Sequence, residues 1–398
     1  MQNFTKPFTQ QEAIPEAGIE KAVEILRHGR LHRYNIAGDD VPETSQLEAD
    51  YAAWQEAKYC IATTSGGQAI QLGLRICGVK PGDKVLANAY TLAPVPGAIH
   101  AVGAEAVLIE IDDNYHINLN HLETMAKQSG ARVLLLSHMR GHIVDMDALM
   151  AIADKYQLKV VEDCAHTMGA KWQGKRSGNF GHVGAFSTQT YKHINSGEGG
   201  FVTTNDDEMA ARAIIHSGSY MLYQRHGTLP PDAVFEKVKL EVANFSCRMD
   251  NLRAAIIRSQ LPYLDENIAR WNRLYDRLFA AFQAASLIDI PMRKQAEFYV
   301  GSSIQFRTSG LQIEQIPTFL ANCAKRGVEL KWFGADQPHA FTSRYDSWQY
   351  LSDIPDLPAT KKALEKTIDM RIPLTFDEDD CDIIATIITE EVAKLANC

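Results

Sequence analysis

An apolar, β-branched run that stops abruptly on two acids constrains this chain more than any other feature. Lys159-Val160-Val161 leads straight into Glu162 and Asp163, opening the stretch VVEDCAHTMGAKWQGKRSGNFGHVGAFSTQTYKHINSGEGG from Val160 to Gly200. A short apolar run without polar alternation predicts a strand covered on both faces, and residues 107–111 and 133–136 are written the same way. Segments with helical apolar spacing separate the runs, among them residues 145–156 and 208–216. The alternation predicts an α/β chain: a three-layer large domain with a mostly parallel sheet, followed by a smaller C-terminal α/β domain. Ligands of such sheets lie beyond the carboxyl ends of the strands, which is where Glu162 and Asp163 fall.

The residues after that strand suit one chemistry. Lys192 lies 29 positions past Asp163 (192 − 163 = 29), ahead of Gly197-Glu198-Gly199-Gly200, with Ser187 between them. A desolvated lysine amine loses its proton near neutral pH and forms a Schiff base with an aldehyde. A pyridoxal ring needs a carboxylate against its nitrogen, and its phosphate needs hydroxyls and the backbone N–H groups of turns and helix N-termini. Asp163, Ser187 and Lys192 are therefore candidate attachments for pyridoxal 5'-phosphate. The stretch from Cys60 to Ile70, CIATTSGGQAI, reads as strand, glycine turn and helix, an anion cradle. Singly, an Asp after a strand is a turn residue, a lysine a solvated group and a glycine cluster a turn. Their order and spacing carry the reading.

This stretch resembles the signature of the DegT/StrS family of pyridoxal-phosphate aminotransferases. There the strand reads V-I-E-D-A-A-Q and the lysine lies in F-S-x-x-x-x-K-x-x-x-x-G-E-G-G. The resemblance implies the aspartate-aminotransferase fold (fold type I), with Lys192 as the Schiff-base lysine, Asp163 as the ring-nitrogen partner and Ser187 as a phosphate ligand. A dehydratase branch carries histidine at the lysine position, and Lys192 argues against it. Gly66, Gly67 and Gln68 fall on the family's phosphate turn, S-G-T-x-A-L, with Gly67 replacing the usual threonine. Leu92 stands where an aromatic side chain normally stacks on the ring, a task Tyr90 is near enough in sequence to share. His166 replaces the glutamine of E-D-A-A-Q and faces either the cofactor's phenolic oxygen or the substrate. Asn244 and Arg248 fall in a segment resembling N-x-R-M-x-x-x-x-A-A-I. It implies a homodimer in which one of the two reaches the neighbouring subunit's cofactor phosphate, so that active sites are shared. The loop of residues 29–35 borders the substrate in the family, making Arg33 and Tyr34 candidates beside the reading as a solvated connection. Arg140 departs from the family's H-L-Y-G-Q, and Arg371 from its L-S-L-P-L. Each is either an anchor for a carboxylate or phosphate, or half of a salt bridge.

The resemblance implies transfer of an amino group from glutamate or glutamine to a ketone, a keto-sugar or keto-cyclitol. Arg33, Arg140 and Arg371 keep open a smaller, carboxylate-bearing acceptor. A cofactor-binding protein without turnover and an elimination enzyme also stay open. The 398 residues suffice for two domains, 1–262 and 263–398, divided at Pro262, where a helix running from Met249 to Phe282 is expected to kink. A net charge of −9 argues against nucleic acid. No apolar run has membrane-spanning length and the first residues lack a signal core. Seven scattered cysteines fit a reducing compartment. Together these predict a cytoplasmic protein, and no cysteine or histidine spacing points to a metal. A helix is expected up to Gly29 and another from Thr44 as its cap, and residues 219–242, with Pro230-Pro231, read as irregular loop.

Overall fold

The computed structural model describes residues 2–337 and 344–397. Its main sheet has seven strands: β1 (Tyr59–Thr63), β2 (Lys84–Asn88), β3 (Glu105–Ile109), β4 (Val133–Ser137), β5 (Lys159–Asp163), β6 (Val183–Ser187) and β7 (Gly200–Thr204). The spatial order is β1-β7-β6-β5-β4-β2-β3. Both faces are covered, as the unbroken apolar runs demand. Val160, Leu134 and Phe201 join one apolar layer, while their neighbours Val161, Leu135 and Val202 join the other.

Register gathers the strand ends. Ser137 pairs with Asp163, and Asp163 with Ala185, along parallel ladders. Only β7 runs antiparallel to both of its neighbours. That reversal brings its first residue, Gly200, to the carboxyl edge, opposite Thr63 and Ser187. A Cβ at Gly200 would lie 2.6 Å from the Ser65 carbonyl oxygen and 2.7 Å from that of Phe186, so only glycine fits.

A smaller antiparallel sheet follows, built from β8 (Ser303–Arg307), β9 (Lys331–Trp332) and β10 (Thr367–Arg371) in the order β8-β10-β9. Helices Leu264–Gln283, Ile316–Lys325 and Glu378–Ala396 accompany it. Phe4 and Phe8 pack edge-on against Phe376, each with ring centroids 5.0 Å or 5.6 Å from a neighbour, and seat the start of the chain here.

Two local expectations change and one holds. The helix expected from Met249 is interrupted at Pro262, as the sequence predicts. It forms as Asn251–Arg258, a 3-10 turn Leu261–Tyr263 and then Leu264–Gln283, because Pro262 offers no N–H to a continuous ladder. Residues 219–242 are not wholly irregular. Pro231 opens a helix, Asp232–Val238, which buried Phe235 and Val238 hold in place. Thr44 caps nothing: α2 (Glu43–Gln55) begins after Pro42, and the Thr44 hydroxyl instead bonds Asn251 Oδ1 at 3.2 Å. The first helix, α1 (Glu16–His28), does end at Gly29, whose φ of 73° suits a left-handed cap. Among the described residues no helix is long and apolar enough to cross a membrane. The six described cysteines are buried and unpaired.

Arg33 lies far from the role expected of it. Its guanidinium is fully buried and grips Glu48 of α2 with two bonds of 2.9 and 2.8 Å. Glu48 also accepts from the backbone N–H groups of Ala62 and Gly227, at 3.0 Å each, so one carboxylate ties α2 to β1 and to a distant loop. Tyr34 turns to Ser219 and to His226 Nε2, and burial pushes its phenol up to about 12. Burial alone would raise the Glu48 carboxyl, but Arg33 and then His226 outweigh it and hold it far below the carboxylate range. The stabilisation is therefore present above the ordinary glutamate pKa of about 4.3 and fades as the pH falls below it. Glu48→Gln, which strands a buried guanidinium, is expected to cost about 3–5 kcal/mol at neutral pH. Urea denaturation of both proteins at pH 7 and pH 4 checks this, with the difference shrinking at the lower pH.

Candidate active site

The floor of the site is the end of β5. Successive side chains of a strand face opposite ways, so Glu162 and Asp163 part company. Glu162 is fully buried. Its Oε1 accepts from the N–H groups of Phe180 (2.8 Å) and Gly181 (2.6 Å), and its Oε2 from Gly178 (2.8 Å) and His138 Nε2 (3.0 Å). Burial opposes this charge, yet His138 and the backbone donors keep its pKa below the ordinary value. Cys164 approaches the same pair, but both Glu162 oxygens are already engaged, which leaves a cation little to bind. Asp163, 4% exposed, accepts from the Ser137 hydroxyl at 2.9 Å and from the Ala165 N–H at 3.1 Å. Ser137 is set in turn by the Thr91 hydroxyl at 2.7 Å and by Asn88 Oδ1 at 2.9 Å.

A cavity of about 490 Å³ opens above this floor. Gly66, Gly67, Leu92, Arg140, Asp163, His166, Ser187, Lys192 and Arg371 all line it. Ser65, at the end of the β1 turn, caps α3 (Gly66–Ile76) by accepting the Gln68 N–H through its hydroxyl at 3.1 Å. The Gln68 donor is thereby spent, and Gln68 does not line the cavity. The N–H groups of Gly66 and Gly67 have no partner among the described residues, as the first donors of a helix must. A Cβ on Gly66 would come within 2.6 Å of the Ser187 Cβ, whereas one on Gly67 meets only the Ser65 hydroxyl, at 3.9 Å.

Lys192 projects into this cavity with its amine 2.8 Å from His166 Nε2. Burial lowers its pKa from 10.5 to about 7; Arg140 and Arg371 push the same way, and Asp163 pulls back. Burial and Lys192 also drive His166 well below its usual value, which keeps the ring neutral beside the amine. Leu92 lines the cavity; Tyr90, 1% exposed, packs instead edge-on to Phe333, which decides between the two. Arg140 is in an ion pair, with its guanidinium 2.7 Å from Asp369, although it still borders the cavity. Arg371 lies 3.7 Å above the Tyr191 ring and makes no ion pair among the described residues.

In addition to Gln68, four expected residues stay away from the cavity of their own chain. Besides Arg33 and Tyr34, Asn244 donates to the Ile215 carbonyl at 2.8 Å and Arg248 to that of Gly218 at 2.5 Å. Ser65, Thr91 and Ser137 were missed by sequence reasoning. Ser65 precedes the glycine turn as a cap residue should, but the positions of Thr91 and Ser137 follow only from strand register.

Comparisons with known proteins bear on the family and the fold. The model of the DegT/DnrJ/EryC1/StrS aminotransferase family matches residues 14–389. A "Pleiotropic regulatory protein" of Geobacillus stearothermophilus is 33% identical over 250 residues, covering 62% of this chain and 60% of that protein. The UDP-2-acetamido-2-deoxy-3-oxo-D-glucuronate aminotransferase of Pseudomonas aeruginosa is 33% identical over 256 residues, covering 64% and 65%. The chain thus spans less than two thirds of the length of these relatives. A Streptococcus pneumoniae structure described as a sugar aminotransferase in its PLP form superposes with a TM-score of 0.82. It shares 20% identity over 98% of this chain and 100% of that one, a likeness of fold.

Two outcomes follow. Gly66→Ala is expected to weaken binding of pyridoxal phosphate about tenfold or more, since Ser187 must move, while Gly67→Thr binds at least as well as wild type; fluorescence titration measures both. The amine of Lys192 becomes neutral as the pH rises through about 7. Its rate of capture of pyridoxal phosphate, followed by stopped-flow absorbance, should therefore level off above that pH, whereas an ordinary lysine would keep gaining up to about 10.4.

Proposed function

The chain belongs to the DegT/DnrJ/EryC1/StrS aminotransferase family, and from that premise we propose that it is a pyridoxal-phosphate-dependent aminotransferase. It takes the amino group of glutamate or glutamine and gives it to a ketone on a sugar or cyclitol. The observation that carries this reading is a lysine amine of pKa about 7 sharing one cavity with a buried aspartate and a helix N-terminus that has spare donors.

The residues present fit the cofactor. Gly66, Gly67 and Ser187 would hold its phosphate, Asp163 its ring nitrogen and Lys192 its aldehyde carbon, with Leu92 covering the ring by dispersion. The cofactor supplies a protonated pyridine ring that withdraws electrons from the donor's α-carbon. Asp163, oriented by Ser137 and Ala165, holds the proton on that ring nitrogen. Lys192 Nζ, as a free amine, would take the proton from the donor's α-carbon. His166 Nε2 orients that amine and, being neutral, leaves it free to accept. The apolar side chains of Ile70, Leu92 and Val95 exclude water from the reacting face.

The assembly we propose is a homodimer with shared sites. Tyr220, Met221, Leu240 and Phe245 are apolar yet 64%, 57%, 93% and 41% exposed, and they flank Asn244 and Arg248. A partner covering this patch would bring one of those two polar residues towards the neighbouring cofactor phosphate. The six unpaired thiols support a reducing compartment, the cytoplasm. A second reading, binding of the cofactor for regulation without turnover, has in its favour the missing aromatic stacker at Leu92 and the name of the Geobacillus relative.

Adding L-glutamate or L-glutamine separately to the cofactor-loaded protein distinguishes the two readings. Transamination predicts loss of the lysine-linked absorbance with one donor, and release of one 2-oxo acid per site. Asp163→Asn should slow that step on the order of 100-fold, the scale of losing a preorganised charge. A loaded protein that no donor changes would favour regulation.

A further inference from the structure

We infer that the part of the cavity lined by Arg371 and Arg140 is an anion subsite, and that the ketone aminated here carries a carboxylate or phosphate group. The inference rests on the transaminase reading and names the substrate class of that same site.

Two arginines far apart in the chain line this part of the cavity. Arg140 follows the end of β4 and Arg371 ends β10, and both line the cavity together with Lys192. Both stand where the resembling family pattern has an uncharged residue, so the two departures meet in one place. The charges do not balance locally. Asp369 is buried, and both its oxygens are occupied, one by Arg140 at 2.7 Å and the other by Gln305 Nε2 at 2.8 Å. Gln305 is held in turn by His142 Nε2 at 2.7 Å. Neither oxygen forms an ion pair with Arg371, which stacks on Tyr191 and has no ion-pair partner among the described residues. Of the other acids on the cavity, Asp163 is engaged on the floor and Glu198 is exposed to solvent.

The backbone adds a second observation. Arg140 adopts φ 55°, the left-handed region that costs a non-glycine residue about 1 kcal/mol or more, and its buried Nε has no partner. Strain of this kind persists where surrounding structure enforces it, commonly at ligand sites. Burial and then the nearby Arg140 push the Arg371 pKa down, against smaller opposing pulls from Tyr191 and Asp369. A planar guanidinium matches the oxygens of a carboxylate or a phosphate with two parallel bonds, so either group would restore balance.

The test uses the cofactor-loaded protein in its amino form and three matched acceptors: a 3-oxo-hexose, the corresponding 3-oxo-uronate and the 3-oxo-hexose 6-phosphate. Wild type is expected to favour one or both charged acceptors over the hexose by roughly 10–100-fold in kcat/KM, the scale of a hydrogen bond to a charged group. The uronate and phosphate arms tell the two anions apart. Arg371→Gln should collapse that preference, and Arg371→Lys, which keeps the charge without the fork, should restore part of it. Equal rates with all three acceptors in wild type would overturn the inference. So would a Gln variant that slows all three in proportion, or one that weakens only the amino donor. Binding without turnover gives a separate readout. Calorimetric titration with malonate and with inorganic phosphate should detect binding of at least one to loaded wild-type protein and much weaker binding to Arg371→Gln. If no amino donor reacts, the transaminase reading fails, and this titration alone decides the subsite.

Discussion

Two adjacent carboxylates at the end of β5 are held for opposite purposes, and the arrangement of the site depends on both. Glu162 faces inward and is satisfied by four donors, three of them backbone N–H groups of residues 178–181. A buried carboxylate in that state cannot rotate without stranding its donors, which costs on the order of 1–3 kcal/mol for each. It therefore fixes the strand end and the loop leading to β6. Asp163, one residue on, must then face the cavity, and Ser137 across the parallel ladder sets its rotation. The direction of one carboxylate follows from the immobility of its neighbour.

Lys192 is governed by a competition. Burial disfavours its ammonium form, Arg140 and Arg371 disfavour it further, and only Asp163 works the other way. The outcome, a pKa of about 7, leaves the amine half neutral at physiological pH. The arginines thus act on the lysine whether or not an anion is bound. A substrate carboxylate or phosphate placed between them would screen their charge and tend to raise the lysine pKa, favouring proton uptake by Nζ after substrate arrives. The cationic end of the cavity and the lysine are electrostatically one unit.

What was legible in the sequence was local in origin. Unbroken apolar runs announced strands buried on two faces, and the spacing from Asp163 to Lys192 with its glycine cluster marked the site. What was not legible depended on partners far along the chain. Arg33 looks like a loop arginine until Glu48 and His226 enclose it. Arg140 offered two readings, and its ion pair depended on Asp369, 229 residues away, on a strand of the smaller sheet. Gln68 fell on the expected phosphate turn, but the cap geometry of Ser65 had already taken its N–H. Residues 232–238 looked irregular because two prolines precede them, although Pro231 is a suitable entry to a helix.

The central claim is that Lys192, among all the lysines, carries the aldehyde of the cofactor. Reducing the pyridoxal-phosphate-loaded protein with borohydride freezes that bond as a stable amine, and peptide mass mapping locates it. One phosphopyridoxyl group per chain is expected, on the peptide containing Lys192, and none on Lys192→Ala. A label on Lys331 or on surface lysines, undiminished in that variant, would contradict it.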